Sequence, residues 1–345
     1  MKLITGLPSV FERYRSVTES ELKAILADRH FPLYDMMKYH LGWIDEKGRV
    51  VNGLSGKAVR PSLCLLACEA VSGEYQRALP AAAAIELVHN FSLIHDDIQD
   101  DDRERRHRLT VWSIWGKPQA INAGTAMRIL AGLALLRLKE HNIPIQKQLL
   151  VQHIIDESSL TLIEGQYLDI SYESRFDIGV TDYLEMISKK TASLIATAMY
   201  VGALLGTEDE TLAKSFRDIG RNLGLAFQIK DDIFGIWGDE VKTGKPLGSD
   251  VKHRKKTFPV VYALEKATVD LREELIDVYS NGGIERDGVG RVMSVLDAVG
   301  AQYRAQRMAE KYCCEAMKSI DKLNILPLAK QDLRDVAQFL AERNF

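Results

Sequence analysis

Apolar residues recur along this chain mostly three and four apart, and the alternation of apolar with polar residues that marks half-buried strands is nearly absent. The pattern predicts an all-α protein. From Pro80 the run AAAAIELVHNFSLIHDD is apolar almost all round as far as Asp96, with proline placed to open a helix and Ala, Glu and Leu to propagate it. Such a helix belongs at the centre of a bundle. A second helix is expected from about Leu212 to Trp237, with Gly220 and Gly224 one turn apart on one face. Two helical glycines cost roughly 1 kcal/mol each relative to alanine, and close approach of a neighbouring backbone or ligand is the expected compensation. These two helices are expected to face one another as walls. From about residue 268 charge becomes more frequent, and amphipathic helices on the outside of the same domain are expected over 268–345. No short repeat, low-complexity tract or Gly/Ser linker interrupts the chain, so 1–345 is expected to form a single domain.

Each of the two apolar helices runs into an aspartate cluster: DDIQDDD at 96–102 and DDIFGIWGD at 231–239, about 135 residues apart. Carboxylates at the mouth of a low-dielectric interior cost several kcal/mol unless a cation meets them. Helical spacing puts Asp96 and Asp100 on one face, with Asp97 about 100° away. Asp101 and Asp102 fall near the helix end, as outer partners or solvated groups. A lone acidic run is ordinarily a solvated surface; two such runs, each after an apolar helix, imply bound metal. Oxygen-only ligands select a hard cation, ordinarily magnesium. Directly after the first cluster, RERRHRLTVW carries Arg103, Arg105, Arg106 and Arg108. They either balance the aspartates or capture phosphate, which guanidinium forks bind bidentately. Further cations border turns, hydroxyl residues or apolar helices: Lys57 and Arg60 in SGKAVRP, Lys190 in KKTASL, Lys245 in TGKPLGSD, and Lys255 with Lys256 before Thr257. Metal together with many cations fits a diphosphate substrate.

Composition narrows the classes. With 46% apolar and 27% charged residues and 9 prolines, the 345-residue chain can bury a large core and shows no disordered or fibrous bias. A net charge of −3 gives no general attraction for nucleic acid or an anionic membrane. The four cysteines form two close pairs, Cys64 with Cys68 and Cys313 with Cys314, without zinc spacing, as in a reduced cytoplasmic protein. The N-terminal stretch lacks the features of a signal or transit peptide. The longest weakly polar run, Ala192 to Gly206, falls short of the roughly 20 residues that span a bilayer. A soluble protein without stable membrane insertion is expected.

The motifs, in their order along about residues 50–265, resemble those of the trans-isoprenyl diphosphate synthases, the polyprenyl synthetase family. SGKAVRP is similar to the family's GGKxxRP, ELVHNFSLIHDDIQDDDRERRHRLTVW to its first aspartate-rich region, EGQYLDI and KKTASL to its middle motifs, and LAFQIKDDIFGIWGDEVKTGKPLGSDVKHRKKTFP to its second. The resemblance implies an antiparallel helix bundle around a deep central cavity. It also implies head-to-tail condensation of isopentenyl diphosphate with an allylic diphosphate, with three magnesium ions bound alongside the substrate diphosphate. A homodimer is expected from the same resemblance. By position, Asp96 and Asp100 correspond to metal ligands with Asp97 in support, and Asp231, with Asp232 beside it, to those of the second motif. Arg105 would hold the allylic diphosphate, and Lys190, Lys245 and Lys255 would reach it from across the cavity. Lys57, Arg60, His89 and Arg106 match the isopentenyl diphosphate site, although His89 by itself would pass for a satisfied core histidine. Thr191, Gln228, Gln166 and Asp169 match residues around the reacting carbon and its metal-bound waters.

Three positions depart from the family pattern. Ala58 replaces a frequent basic residue, His107 replaces the usual glycine after the arginine pair, and Gly235 stands where the last aspartate of the second motif would be. Asp239, one turn later, is a partial substitute. Product length in the family depends on the residues four and five before the first aspartate, here Ser92 and Phe91, the latter roughly 7.5 Å down the helix from Asp96. A single aromatic there, with no insertion in the motif, resembles the geranylgeranyl (twenty-carbon) type; farnesyl is the alternative, and an ordinary core role for Phe91 is a third reading. A class I terpene cyclase would show a different second metal motif, and a non-catalytic synthase subunit would have lost one or both aspartate motifs.

Overall fold

Proline, without an N–H to leave unpaired, opens several helices of this chain, and the longest apolar run begins at such a point. The computed structural model describes residues 8–51, 56, 58–238, 248–280 and 286–342. Its helices in chain order are α1 (Ser9–Leu26), α2 (Pro32–His40), α3 (Val59–Ser72), α4 (Leu79–Gln99), α5 (Val111–Trp115), α6 (Lys117–Leu135), α7 (Ile145–Tyr172), α8 (Val180–Ile187), α9 (Ser193–Gly206) and α10 (Glu210–Trp237). There follow α11 (Ser249–Lys252), α12 (Phe258–Lys266), α13 (Val269–Ser280), α14 (Arg286–Ala298), α15 (Ala301–Lys322) and α16 (Pro327–Glu342). The fold is all-α, as the periodicity predicts.

Helix α4 is buried on nearly every side from Pro80 to Ile94, with α3, α6 and α9 packed around it. Helix α10 starts two residues before the predicted position because Asp209 caps it: Oδ1 accepts from the backbone N–H groups of Thr211 at 2.9 Å and Leu212 at 3.0 Å. Such a cap is worth about 1 kcal/mol. Gly220 and Gly224 of α10 face α9 and the residue just before it at close range. A Cβ on Gly220 would lie 2.8 Å from Ala196 Cα, and one on Gly224 would lie 2.6 Å from Ala192 Cα. Neighbouring backbone is therefore what compensates the two glycines.

The C-terminal helices divide. α13 and α14 pack on each other and on α12, with Leu275, Val292 and Leu296 sharing a core with Val260 and Ile236. α15 lies along α10 with its buried face and keeps the opposite face exposed, as an amphipathic helix does. Alanines at 301, 305, 309 and 316 are buried, small enough to let the two helix axes come close, and Lys230 Nζ donates to Gln306 Oε1 at 2.7 Å across the contact.

A short ribbon interrupts the helices after α4. β1 (Glu104–Arg105) pairs antiparallel with β2 (Arg108–Leu109), and the turn residues Arg106 and His107 have φ of +53° and +60°. A two-residue turn with both φ positive matches the twist of a hairpin, and glycine is the residue that adopts it without steric cost. His107 thus stands at a turn position that glycine would occupy without steric cost.

The sequence reading missed one apolar stretch. Residues Lys117–His141, α6 with its 3-10 extension, form a helix long and apolar enough by length and composition to cross a membrane, and 44% of an 18-residue apolar stretch within it is buried inside the fold. Its outward side shows Ile121, Ile129 and Leu133, and the adjacent α7 shows Leu149, Leu160, Ile163 and Tyr167.

Candidate active site

A cavity of about 550 Å³ opens between α4 and α10, with α7, α8 and the segment after α11 completing its walls. Asp96 and Asp100 line it from the end of α4, where Asp100 caps the helix by donating its N–H to Asp96 O at 2.8 Å. Asp231 and Asp232 line it from α10, so the walls expected from sequence do face one cavity. Burial pushes Asp96 up to about 6, Lys190 pulls it back, and the charge of Asp100 pushes it further up. A carboxylate held this far above its ordinary range is short of positive charge, and with only oxygen donors around it the set suits a hard divalent cation. Among the described residues no three carboxylate, imidazole or thiol groups form a cluster able to hold an ion unaided. Substrate oxygens and water would have to complete the shell, which is the habit of magnesium.

Two aspartates expected at the metal are engaged elsewhere. Asp97 is buried and absent from the lining; its Oδ1 accepts from Arg105 Nε at 2.7 Å. Burial raises Asp97 to about 6 and Arg105 opposes the shift. The 100° offset from Asp96 turns it under the hairpin, where it fixes Arg105 at the rim. Asp232 is also spoken for. Its Oδ2 accepts from the Tyr183 hydroxyl and from the Phe258 N–H at 2.8 Å, and its Oδ1 from Gln228 Nε2 at 3.0 Å. Burial pushes it up to about 7, against those three hydrogen bonds. Gln228 Oε1 in turn accepts from Thr191 Oγ1 at 2.7 Å, so Asp232 orients a Gln228–Thr191 pair at the cavity wall.

Lys190 and Thr191 belong to a π-helical turn, Ser188–Ala192, between α8 and α9. Gly165 makes the turn's position possible: a Cβ there would lie 2.2 Å from the Lys190 backbone nitrogen. With backbones this close, Lys190 reaches Asp169 on α7 and forms an ion pair. Burial works against the ammonium, but Asp169 and Asp96 outweigh it and hold the lysine pKa above its usual value. Lys255, exposed at the opposite rim, stands 3.7 Å from Asp100 Oδ2. Gln166 does not line the cavity; its Nε2 donates to Gln99 Oε1 at 2.9 Å and ties α7 to the end of α4.

A second cluster of cations borders the cavity. Arg60 Nη1 lies 3.2 Å from His89 Nε2. Guanidinium can only donate, so this nitrogen accepts and the imidazole is neutral. Burial, then the charges of Arg60, Arg106 and Arg105, hold the His89 pKa well below the usual value. Arg106 gains its place from Gly56, where a Cβ would lie 2.7 Å from its Nη2. The counter-charge is Glu86, which the sequence reading passed over. Burial raises its pKa, while a hydrogen bond from Asn90 Nδ2 at 3.0 Å and the charges of Arg60 and Arg106 lower it. An acid inside an otherwise apolar helix, three residues before His89, was the available signal. Lys57, Lys245 and Asp239 lie outside the described residues.

Phe91 is buried with its ring edge-on to His95, centroids 5.8 Å apart, and is not part of the lining. Its backbone faces Gly124 of α6. Ser92, with Leu93 and Leu162, faces the cavity instead.

Lys256, next to Lys255, lines the cavity at only 4% exposure. Its Nζ sits over the rings of Phe176, at 4.1 Å, and Tyr279, at 4.7 Å, and has no hydrogen-bond partner among the described residues. Burial lowers its pKa to about 8. A lysine whose folded pKa is depressed costs stability in full below about 8 and costs nothing above its unfolded value, near 10.4. Lys256→Met is therefore expected to raise stability at pH 7 by about 1–2 kcal/mol after the lost cation–π contacts are counted. Thermal melts should show the gain shrinking as pH rises from 8 to 10; a variant less stable at pH 7 contradicts this account.

The family model for polyprenyl synthetase matches residues 42–323. The chain belongs to the polyprenyl synthetase family. Among relatives in the family, the (2E,6E)-farnesyl diphosphate synthase of Mycobacterium tuberculosis is 37% identical over 322 residues, covering 92% of this chain and 88% of the relative. The geranylgeranyl diphosphate synthase of the same organism is 37% identical over 304 residues, covering 88% and 85%. A polyprenyl synthetase from Streptomyces coelicolor A3(2) superposes with a TM-score of 0.89 at 36% identity, covering 97% of this chain and 99% of that one.

Proposed function

We propose that the protein catalyses magnesium-dependent head-to-tail prenyl transfer, joining isopentenyl diphosphate to an allylic diphosphate. The observation that carries this reading is the meeting of two carboxylate walls, Asp96 with Asp100 and Asp231, at a cavity also lined by Lys190, Arg105 and Lys255 and bordered by the Arg60–His89–Arg106 cluster. The first set of cations suits an allylic diphosphate and the second suits isopentenyl diphosphate, with Lys245 and Lys57 contributing to each from outside the described residues. When bound, magnesium, three ions in this reading, neutralises the charge that grows on the departing diphosphate.

Lys190, Arg105 and Lys255 hold the diphosphate as the allylic carbon–oxygen bond breaks and its electron pair leaves with oxygen. Thr191 and Gln228, oriented by Asp232, present hydroxyl and amide oxygens towards the resulting allylic cation, while Asp169 positions Lys190. Asp97 holds Arg105, and Gln166 braces α7 against α4. Arg60, Arg106 and neutral His89 align isopentenyl diphosphate so that its double bond attacks the cation, forming the new carbon–carbon bond. The released diphosphate accepts the proton that is lost. A short-chain product fits the apolar part of the lining, Leu93 and Leu162, beside Ser92; twenty carbons is the expected length, with Phe91 acting from behind that wall. The adjoining apolar faces of α6 and α7 suit a second copy of the chain, giving a homodimer that sedimentation at micromolar concentration would detect.

The test is incubation of purified protein with isopentenyl diphosphate and, separately, dimethylallyl, geranyl and farnesyl diphosphates, with magnesium or excess chelator, followed by mass identification of the dephosphorylated products. Geranylgeraniol from all three, only with magnesium, is expected. Farnesol alone would shorten the product and leave the mechanism intact. Cyclic hydrocarbon formed without isopentenyl diphosphate would replace the reading with a cyclase, and inactivity throughout would favour a non-catalytic subunit.

A further inference from the structure

Arg108 follows Arg105 and Arg106 closely in sequence, yet it does not line the cavity. It stands directly opposite Arg105 across the two-stranded ribbon, where like charges repel and each needs a partner of its own. Asp97 takes Arg105. Arg108 turns to the end of α2 and the segment after it: Nη1 donates to Tyr39 O at 3.0 Å, Nη2 donates to Ile44 O at 2.8 Å, and the guanidinium lies over the Tyr39 ring, 4.0 Å from its centroid. Tyr39 returns the contact, its hydroxyl donating to Leu109 O at 2.8 Å. All three bonds end on main-chain oxygens, so the joint fixes one backbone against the other rather than two side-chain ends. Tyr39 is itself held, buried with its ring edge-on to Trp115 at 5.2 Å.

The base of the ribbon is fastened separately, to the end of α4. Thr110 Oγ1 and Trp112 Nε1 each donate to Asp102 O at 2.9 Å, and the Thr110 N–H donates to Arg103 O at 2.9 Å. Beyond these anchors the turn is strained: Arg106 and His107 both hold left-handed φ values that glycine adopts without steric cost and L side chains do not. A ribbon released from α2 would relax, and it would carry Arg105 and Arg106 with it.

We propose that Arg108 and Tyr39 are positioning residues: their clamp holds the ribbon in the turn that presents Arg105 to the allylic diphosphate and Arg106 to isopentenyl diphosphate, and it does so in place of a glycine at 107. Arg108 itself touches neither substrate. The naming of the two diphosphates rests on the prenyl-transfer reading above; the hold of the clamp on the ribbon does not.

Amide hydrogen exchange over residues 104–110 reads the ribbon directly. Calorimetry with isopentenyl diphosphate alone, and with inorganic diphosphate plus magnesium, reads the two arginines without turnover. Arg108→Met is expected to speed exchange in the ribbon but not in α4, and to weaken both ligands about tenfold, the scale of a lost pair of charge-assisted hydrogen bonds. Tyr39→Phe, a milder change that loses only the hydroxyl bond, is expected to weaken both about threefold. His107→Gly is expected to bind as the parent does and, added to Arg108→Met, to recover most of the lost affinity, because glycine keeps the turn unaided. An arginine that bound phosphate itself could not be replaced in this way. A weakening that His107→Gly leaves in full, or parental exchange in the ribbon of Arg108→Met, therefore overturns the proposal while the prenyl-transfer reading stands. If the parent binds neither ligand, that reading falls and takes the substrate half of the proposal with it; faster ribbon exchange in Arg108→Met, slowed again by His107→Gly, would still establish the clamp.

Discussion

Asp96→Asn should lower kcat/KM on the order of 10³-fold and raise the magnesium concentration needed for half-maximal activity, because it removes one full charge from the wall that faces the substrate diphosphate. Stability should move the other way. The Asp96 carboxylate is pushed up to about 6 by burial, so at pH 7 its ionised form is less favourable in the folded protein than in the unfolded chain. A neutral amide of the same shape relieves that cost, and the variant should melt at the same temperature as the parent or higher when no metal is added. Loss of activity with a preserved or improved melting temperature separates a ligand from a structural acid. A variant that melts several degrees lower, with unchanged magnesium dependence, would assign Asp96 to the fold.

Lys190→Met is expected to cost about 10²–10³ in kcat/KM, with a signature opposite to that of Asp96→Asn. Lys190 pairs with Asp169 and its charge also acts on Asp96. Removing the ammonium leaves these carboxylates more negative, so magnesium without diphosphate should bind more tightly, while diphosphate should bind more weakly at any magnesium concentration. Calorimetric titration of each ligand distinguishes the two effects. Weaker binding of both would show that Lys190 acts through the placement of the π-helical turn, and Lys190→Arg would then be no better than Lys190→Met.

Much of this arrangement was legible from local pattern. The all-round apolar run before Asp96 specified a central helix, and the four-residue spacing to Asp100 specified which two acids share a face. Gly220 and Gly224 announced the close contact with α9. What escaped depended on partners remote in sequence. Asp97 and Asp232 look like metal ligands because each adjoins one, yet Arg105 claims the first while Tyr183 and Phe258 help to claim the second. The angular offset of Asp97 was readable, but not the group waiting on that side. The family resemblance placed Phe91 at the cavity floor, whereas its ring turns toward His95 and its neighbour Ser92 reaches the lining instead. The amphipathic pattern of the C-terminal region did not say which inner helix its buried faces would meet, and the small residues on the buried face of α15 are packed along α10. No periodicity announced the π-helical turn at Ser188–Ala192.

That turn makes this stretch of chain intolerant of changes in length. A π-helical turn holds one more residue than the α-helical turn it replaces, so deleting a single residue between Ser188 and Ala192 would leave a continuous α-helix that is easier to form. Each residue of an α-helix advances about 100°, and the straightened helix would carry everything on one side of the deletion round by that angle. Either α8 would turn Tyr183 away from Asp232, or α9 would turn its small residues away from Gly220 and Gly224. The segment therefore behaves like a keyed joint: substitutions on its outer surface are free, while a one-residue slip uncouples the cation-bearing wall from the carboxylate-bearing one even as helical content rises.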